Sequence, residues 1–318
     1  MTGDLKPECW VVSEGTAGME NQALGLAERL GLPIRVIRLK VAAPWRWIAP
    51  WSLGSPFGHL EPGADRLVPP WPCLVIGCGR QSIPFALGIK KASEGRTRIV
   101  QCQNPRVDPA YFDLVVPPEH DALAGPQVFP IIGSPNRITP GRLAAAKREF
   151  EGRFLDLRAP RIAVLIGGNS KDYRLGRAAA AAMGASLRAL CAEHGLMVTA
   201  SRRTAKDARA ALRDALAGTG AYFWDGDAPN PYLGMLAWAD AILVTADSVN
   251  MACEAGATGK PVHIVALPGG SPKFRRFHES LAARGVARPF VGAIGTWAYD
   301  PLDETGRAAN KIKALLDL

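Results

Sequence analysis

No stretch of this 318-residue chain approaches the roughly 18 consecutive apolar residues a membrane-crossing helix needs, so none is expected. The first residues, Met-Thr-Gly-Asp-Leu-Lys-Pro-Glu, lack the apolar core of a secretion signal. Cys9, Cys73, Cys78, Cys102, Cys191 and Cys253 include no C-x-x-C pair, which speaks against a zinc or dithiol motif. Most sit in or beside apolar runs, as reduced, packed thiols of a cytoplasmic protein do. There is no fixed-period repeat, no low-complexity tract and no basic tail. No Lys/Arg run is interleaved with aromatics, so nucleic acid is not an expected partner.

What is present is a globular composition: 48% hydrophobic and 21% charged residues, with a net charge of +9. The length exceeds what a single core usually reaches, so two domains are expected. The positive excess is spread over both halves. It suits an anionic small substrate or an acidic membrane surface.

Short apolar runs alternate with helical patterns from the start, the signature of a parallel α/β sheet. In the first half, strands are expected at 9–12, 34–39, 73–77, 98–101, 114–116 and 128–132, and helices at 21–30 and 83–90. An Ala/Lys/Arg-rich helix over 140–160 closes this half, and the boundary is placed at residue 158. The alternation then restarts at 161–166 and runs to residue 302. The final stretch, 303–318, reads as an amphipathic helix that packs back on the first domain. Two doubly wound, Rossmann-like domains facing an interdomain cleft are the expected architecture, with ligands outside the carboxyl ends of the strands.

Residues 239–267 are the most informative stretch. They read as a buried strand (241–245), a polar turn, a helix (248–257) and a second strand (261–267). Asp247 and Ser248 are helix N-cap types, and the open N–H groups of a first helical turn attract phosphate. Asn250 and Glu254 share one helix face, with Met251 between them. That places the Glu254 carboxylate where a nucleotide's ribose would lie. An ordinary βαβ unit with a solvated glutamate has the same pattern.

Three further loops follow strands. Gly15 and Gly18, with Asn21 and Gln22, open the first helix in a pattern that is neither a dinucleotide fingerprint nor a P-loop. Gly167, Gly168, Asn169, Ser170 and Lys171 follow the strand at 161–166. Ser201, Arg202, Arg203 and Thr204 follow the next, where arginine forks suit phosphate oxygens and a solvated loop is the alternative. Asp225 and Asp227 have the spacing of a metal-binding D-x-D but read as a turn, so no metal is expected. Residues 44–59 carry Trp45, Trp47, Trp51 and Phe57 among prolines and glycines. They form either a bilayer-interface loop or a loop folding its aromatics onto the core.

The second half resembles the nucleotide-sugar domain of GT-B glycosyltransferases, in particular the peptidoglycan lipid-precursor N-acetylglucosaminyltransferases. The resemblance rests on Gly167-Gly168, Trp238-Ala239-Asp240, Ser248…Glu254-Ala255 and Gly259-Lys260-Pro261. It implies that Glu254 holds a ribose, that the helix start meets a diphosphate, that Asn230–Leu233, with Tyr232, lie near the base, and that the loop Gly269–His278 approaches the sugar.

Over nearly its whole length the chain is similar to the plant "elongated mitochondria" fission-factor family and its bacterial relatives. The shared residues include Gly15…Gly18…Asn21-Gln22, Gln103-Asn104-Pro105, Gly167-Gly168-Asn169-Ser170, Ser201-Arg202-Arg203-Thr204, Asn230-Pro231-Tyr232, 244–251 and Trp297…Tyr299…Pro301-Leu302. Met19 stands where the peptidoglycan enzymes' glycine loop has a histidine. A base must then come from elsewhere, with Glu14 and Glu20 as candidates and Asp108 and His120 behind them. The implied function is an inverting, metal-independent transferase that needs no cofactor beyond its nucleoside-diphosphate-sugar donor. Its acceptor is expected to be a hydroxyl, lipid-linked or of an envelope glycan, with Trp45, Trp47 and Trp51 resting on the inner membrane face. The alternatives are a non-catalytic scaffold at a membrane and a nucleotide-sugar epimerase.

Overall fold

The first strand, β1 (Lys6–Ser13), is buried from Cys9 onward, as expected of a strand covered on both faces. It belongs to a computed structural model that describes residues 5–318 apart from 225, 227 and 228. The Asp225/Asp227 turn therefore lies outside the described residues. Two units are defined: unit 1 comprises Met1–Arg137 with Asp303–Leu318, and unit 2 comprises Ile138–Leu302.

In unit 1, β1 is followed by α1 (Ala17–Glu28), β2 (Ile34–Arg38), the short α2 (Trp45–Ile48), β3 (Pro72–Cys78), α3 (Ser82–Ala92), β4 (Arg98–Cys102) and β5 (Leu114–Val116). All pairings are parallel and the strand order is β2-β1-β3-β4-β5. The order reverses between β1 and β3, so the loops after those two strands flank unit 1's topological switch point, the place where such sheets bind ligands.

The strand expected at 128–132 does not form. The segment runs beside β5 but makes only isolated bridges, Val115↔Val128 and Pro118↔Ile131. Pro130 has no N–H to give, nor do Pro117 and Pro118 opposite, so a ladder cannot propagate. The closing helix (Glu304–Leu316) lies in unit 1. Asp303 caps it through the Gly306 N–H at 3.0 Å, and Glu304 accepts from the Ile132 N–H at 2.8 Å. Its Ala308, Ala309 and Ile312 join the core beneath α1.

Unit 2 begins with α4 (Pro140–Glu149) and α5 (Glu151–Phe154), ahead of the boundary expected at 158. The reason is packing. Trp238 donates its indole N–H to the Lys147 carbonyl at 2.8 Å, and Gly234 lies so close to Phe150 that an added Cβ would meet its ring at 2.6 Å. Next come β6 (Arg161–Ile166), α6 (Arg177–Leu190), β7 (Gly195–Ala200), α7 (Lys206–Leu216), β8 (Tyr222–Trp224) and α8 (Tyr232–Trp238). They are followed by β9 (Ala241–Thr245), α9 (Val249–Gly256), β10 (Val262–Val265), α10 (Pro272–Ala283) and β11 (Ala287–Pro289). The parallel order β11-β10-β9-β6-β7-β8 places unit 2's switch point between β6 and β9. Residues 269–278 are not only a loop, because α10 starts at Pro272.

Among the described residues no helix is long and apolar enough to cross a membrane. All six cysteines are free thiols, and Cys9, Cys78, Cys102 and Cys253 are buried.

Candidate functional site

At unit 2's switch point the chain after β9 turns through Asp247 into α9. Ser248 is the N-cap, and its hydroxyl accepts from the Met251 N–H at 3.4 Å. Asp247 is buried, and its carboxylate accepts from Gly168 N–H (2.9 Å), the Thr245 hydroxyl (2.7 Å) and Arg203 Nη2 (2.7 Å). Thr245 in turn accepts from Gly167 N–H at 2.7 Å. The glycines are required because the chain closes on itself here. A Cβ on Gly167 would meet both Asp247 oxygens, and one on Gly168 would meet the Arg203 backbone.

This corrects part of the expected site. The N–H groups of Gly167 and Gly168 are bonded within the protein and do not stand open to an anion. Asn169 accepts from Leu175 N–H at 2.8 Å, and Ser170 accepts from the N–H groups of Asp172 and Tyr173. Both side chains therefore shape the 169–175 loop. Ser201 likewise accepts from its neighbour Arg203 N–H at 3.2 Å. Arg202 is exposed, and no carboxylate among the described residues pairs with it.

One turn further along α9, Glu254 Oε2 accepts a hydrogen bond from the Tyr232 hydroxyl at the start of α8. Asn230 Oδ1 accepts from Tyr232 N–H at 3.0 Å and fixes that start. Burial pushes the Glu254 carboxyl up to about 7, against the smaller opposing effect of the Tyr232 bond. Burial, then the adjacent Glu254 charge, raises the Tyr232 phenol well above its ordinary value. Asn250 and Met251 are half-buried on the same turn.

The Gly259-Lys260-Pro261 motif is architectural. Lys260 Nζ caps α8 by donating to the carbonyls of Leu236 (2.6 Å) and Ala237 (2.7 Å), and burial lowers its pKa to about 8. Tyr299 donates to the Lys260 (2.7 Å) and Gly256 (3.2 Å) carbonyls, which ties down the far end of α9.

At unit 1's switch point Glu14 accepts from Gln81 twice, from its N–H and its Nε2, each at 3.1 Å. Gly79 has φ +91, and a Cβ there would lie 2.7 Å from Met19 Sδ and 3.0 Å from Glu14 Oε1. Gly15, at φ +75, makes the turn that brings Glu14 there, and Gly18 lies within α1. Gln101 is buried, with Nε2 donating to the Cys102 carbonyl at 3.0 Å, and Gln103 donates to Gln22 at 3.1 Å from a left-handed backbone. Gln22 and Asn21 are thus engaged inside unit 1, Asn21 accepting from Arg137 at 3.4 Å. Glu20 is bonded to Arg38 through both oxygens, which lowers its pKa. Sequence reasoning did not single out Gly79, Gln81 and Gln101 as parts of this switch point, although Gly77-Cys78-Gly79 at the end of a buried strand was a usable signal.

The aromatic segment divides. Trp45 stacks on His59 with centroids 3.6 Å apart, and Phe57 packs on Trp71 at 5.9 Å. Trp47 and Trp51 are 62% and 65% exposed, with Leu53 at 74%. Arg80, beside Gln81, fixes this segment by donating to the carbonyls of Arg46 (3.2 Å), Trp47 (3.3 Å) and Ala49 (3.1 Å).

Solved structures place these units in a class. The chain is similar to the UDP-GlcNAc 2-epimerases of Methanocaldococcus jannaschii (TM-score 0.57, 12% identity, 98% of this chain and 99% of that one) and Neisseria meningitidis (0.53, 12%, 98% and 99%). At that identity the likeness defines the fold, which is GT-B-like with two Rossmann-like units. Within that class the chain belongs to the mitochondrial fission ELM1 family, whose model matches residues 17–316. A mitochondrial fission protein of Arabidopsis thaliana is 33% identical over 270 residues, 76% of this chain and 63% of that protein. The chain thus spans under two thirds of that relative's length. An uncharacterised protein of Rickettsia prowazekii is 27% identical over 97% of this chain and 98% of its own.

Proposed function

We propose that the chain is a glycosyltransferase that binds a nucleoside-diphosphate sugar in unit 2 and passes the sugar to an acceptor hydroxyl with inversion and without a metal. The observation that carries this reading is the placement of Glu254 about a turn and a half below the start of α9, at the β6/β9 switch point. Glu254 accepts from the ribose hydroxyls, and the first turn of α9 meets the diphosphate. Arg202 is available to the phosphates; Arg203 reaches them by leaving Asp247. Charge growing on the departing diphosphate is stabilised by these groups. For an acceptor docked on unit 1, Glu14 is the better base. Glu20 is held ionised by Arg38 and is correspondingly weak. A lipid-linked or envelope-glycan acceptor at the inner membrane face agrees with the exposed Trp47 and Trp51, whose rings suit a bilayer interface.

A second reading keeps the fold without catalysis, as a membrane recruitment scaffold. Met19 in place of a histidine and the internal bonding of Gly168 and Arg203 favour it. An epimerase is the third, on the likeness to the UDP-GlcNAc 2-epimerases. Incubation with UDP-, GDP- and ADP-sugars decides among them. Release of nucleoside diphosphate with a glycosylated acceptor supports transfer, and an epimerised sugar supports the third reading. Absence of any nucleotide binding leaves the scaffold.

A further inference from the structure

A single residue takes hold of both oxygens of Glu14. The Gln81 N–H donates to Oε1 and the Gln81 Nε2 to Oε2, each at 3.1 Å. No other described residue bonds this carboxylate. The torsion that turns a glutamate's carboxyl group is broad and two-fold, so one bond alone would let its plane swing. Two bonds from a common residue fix that plane. A carboxylate offers about four lone-pair positions. Gln81 fills one on each oxygen, and Glu14 is only half-buried, so one on each is left for a ligand.

The turn that presents Gln81 is shaped for this close approach. Gly79 leaves no room for a Cβ beside Met19 Sδ and Glu14 Oε1, and a Cβ on Gly77 would meet Gln101 Oε1 at 2.5 Å. The Ser82 hydroxyl donates to the Gly79 carbonyl at 2.7 Å and locks the turn. Gln81 is also the N-cap of α3, yet its side chain makes no capping bond. Helix stability at that position favours Ser, Thr, Asp or Asn. A glutamine there forgoes the cap and gives its amide to Glu14. The bond to Oε1 satisfies an open N–H at the start of α3, which is a structural purpose. The bond to Oε2 satisfies nothing in the helix.

We propose that Gln81 is a positioning residue, whose Nε2 bond holds the Glu14 carboxylate in the orientation from which it takes a proton from the acceptor hydroxyl. The inference rests on the transfer reading above, with Glu14 as its base. In that step the acceptor oxygen bonds the anomeric carbon and the bond from that carbon to the diphosphate breaks. The electron pair leaves on the diphosphate oxygen, and the hydroxyl proton passes to Glu14. A base works only with its lone pair aimed at the proton, and a small misplacement at the reacting centre costs about 10²-fold. Gln81 therefore acts on the chemical step and not on the binding of the donor.

Release of nucleoside diphosphate from UDP-glucose, UDP-N-acetylglucosamine, GDP-mannose and ADP-glucose, with water and with octyl glucoside as hydroxyl sources, tests it. Gln81→Met keeps the side-chain length and the backbone N–H but removes the amide donor. It should lower kcat by about tenfold to a hundredfold, with donor KM within about twofold of wild type and the melting temperature unchanged. Gln81→Asn, with the amide on a shorter arm, should recover part of the loss. A purely structural role predicts neither the split nor the recovery. Glu14→Gln should be at least as slow, and adding Gln81→Met to it should cost nothing further, because the two residues act as one unit. Turnover of Gln81→Met at the wild-type rate, or a further loss in the double variant, overturns the positioning role and leaves the donor reading standing. Turnover of Glu14→Gln at the wild-type rate overturns the base and the inference with it. Wild-type protein that releases nucleoside diphosphate from none of these donors overturns the transfer reading itself.

Discussion

Arg203 Nη2 lies 2.7 Å from Asp247 Oδ2, so a carboxylate sealed at the entrance to α9 is neutralised by an arginine reaching over from the loop after β7. The pair places one negative charge where the donor reading puts a diphosphate. It also engages a cation that a phosphate would recruit.

Removing either partner separates its structural and binding contributions. Arg203→Met leaves a buried carboxylate with only neutral donors and should lower stability by about 1–3 kcal/mol in urea unfolding, the half-exposed arginine limiting the loss. Asp247→Asn keeps hydrogen-bond acceptance while removing the charge. It should tighten nucleoside-diphosphate binding severalfold by releasing Arg203. Weaker binding in Asp247→Asn would mean that Asp247 itself contacts the ligand.

Glu254 yields a pH signature. Its carboxyl is raised from 4.5 to about 7, so the folded state holds that proton more tightly than the unfolded chain does. The resulting stability is complete below pH 4.5 and is lost as pH rises through 7. Glu254→Gln keeps an acceptor for Tyr232 and has no such dependence. At about pH 8 it should be more stable than wild type by on the order of 1–3 kcal/mol, with the difference vanishing in acid. Nucleotide affinity should fall in the same variant, because an amide is a poorer partner for a ribose diol. Parallel melting curves across this range, with calorimetry at pH 8, check both halves.

The glycines of unit 2 predict opposite outcomes at two positions. Gly168→Ala drives a Cβ into the Arg203 backbone, where no rotamer change can help, and should cost about 2–3 kcal/mol. Gly141→Ala, in the first turn of α4 with open space around it, should stabilise by up to about 1 kcal/mol. Thermal melts of the two variants against wild type measure this. Equal effects would show that the close approach at Gly168 can relax.

The element pattern was legible because both units are parallel sheets whose strands read as continuous apolar runs. Val11, Ile76 and Leu243, buried on their strands, show why. Strand order was not legible, since nothing local tells β6 to pair with both β7 and β9. The start of α10 had a signal in Ser271-Pro272 and in Phe274, Phe277, His278 and Leu281 at helical spacing, which the preceding glycines obscure. At the site, Ser248 and Glu254 could be placed because helix geometry follows from spacing. Asn169 and Ser170 could not, because a small polar side chain can turn to a ligand or to its own loop with the same sequence. Only the fold shows the hydrogen bonds to Leu175 and Tyr173.

The exposed aromatics offer a last test, independent of nucleotide chemistry. Trp47 and Trp51 are mostly in solvent, while Trp45 is stacked on His59 and the Arg46–Ala49 carbonyls are pinned by Arg80. The two outer rings can therefore be removed without disturbing the segment that presents them. Trp47→Ala/Trp51→Ala should leave the melting temperature unchanged and reduce sedimentation with vesicles containing anionic lipid by about tenfold, since interfacial tryptophans and a basic protein surface act together there. Arg80→Leu should lower both stability and vesicle binding by releasing α2. If the double variant sediments as wild type does, Trp47 and Trp51 do not mediate contact with a bilayer.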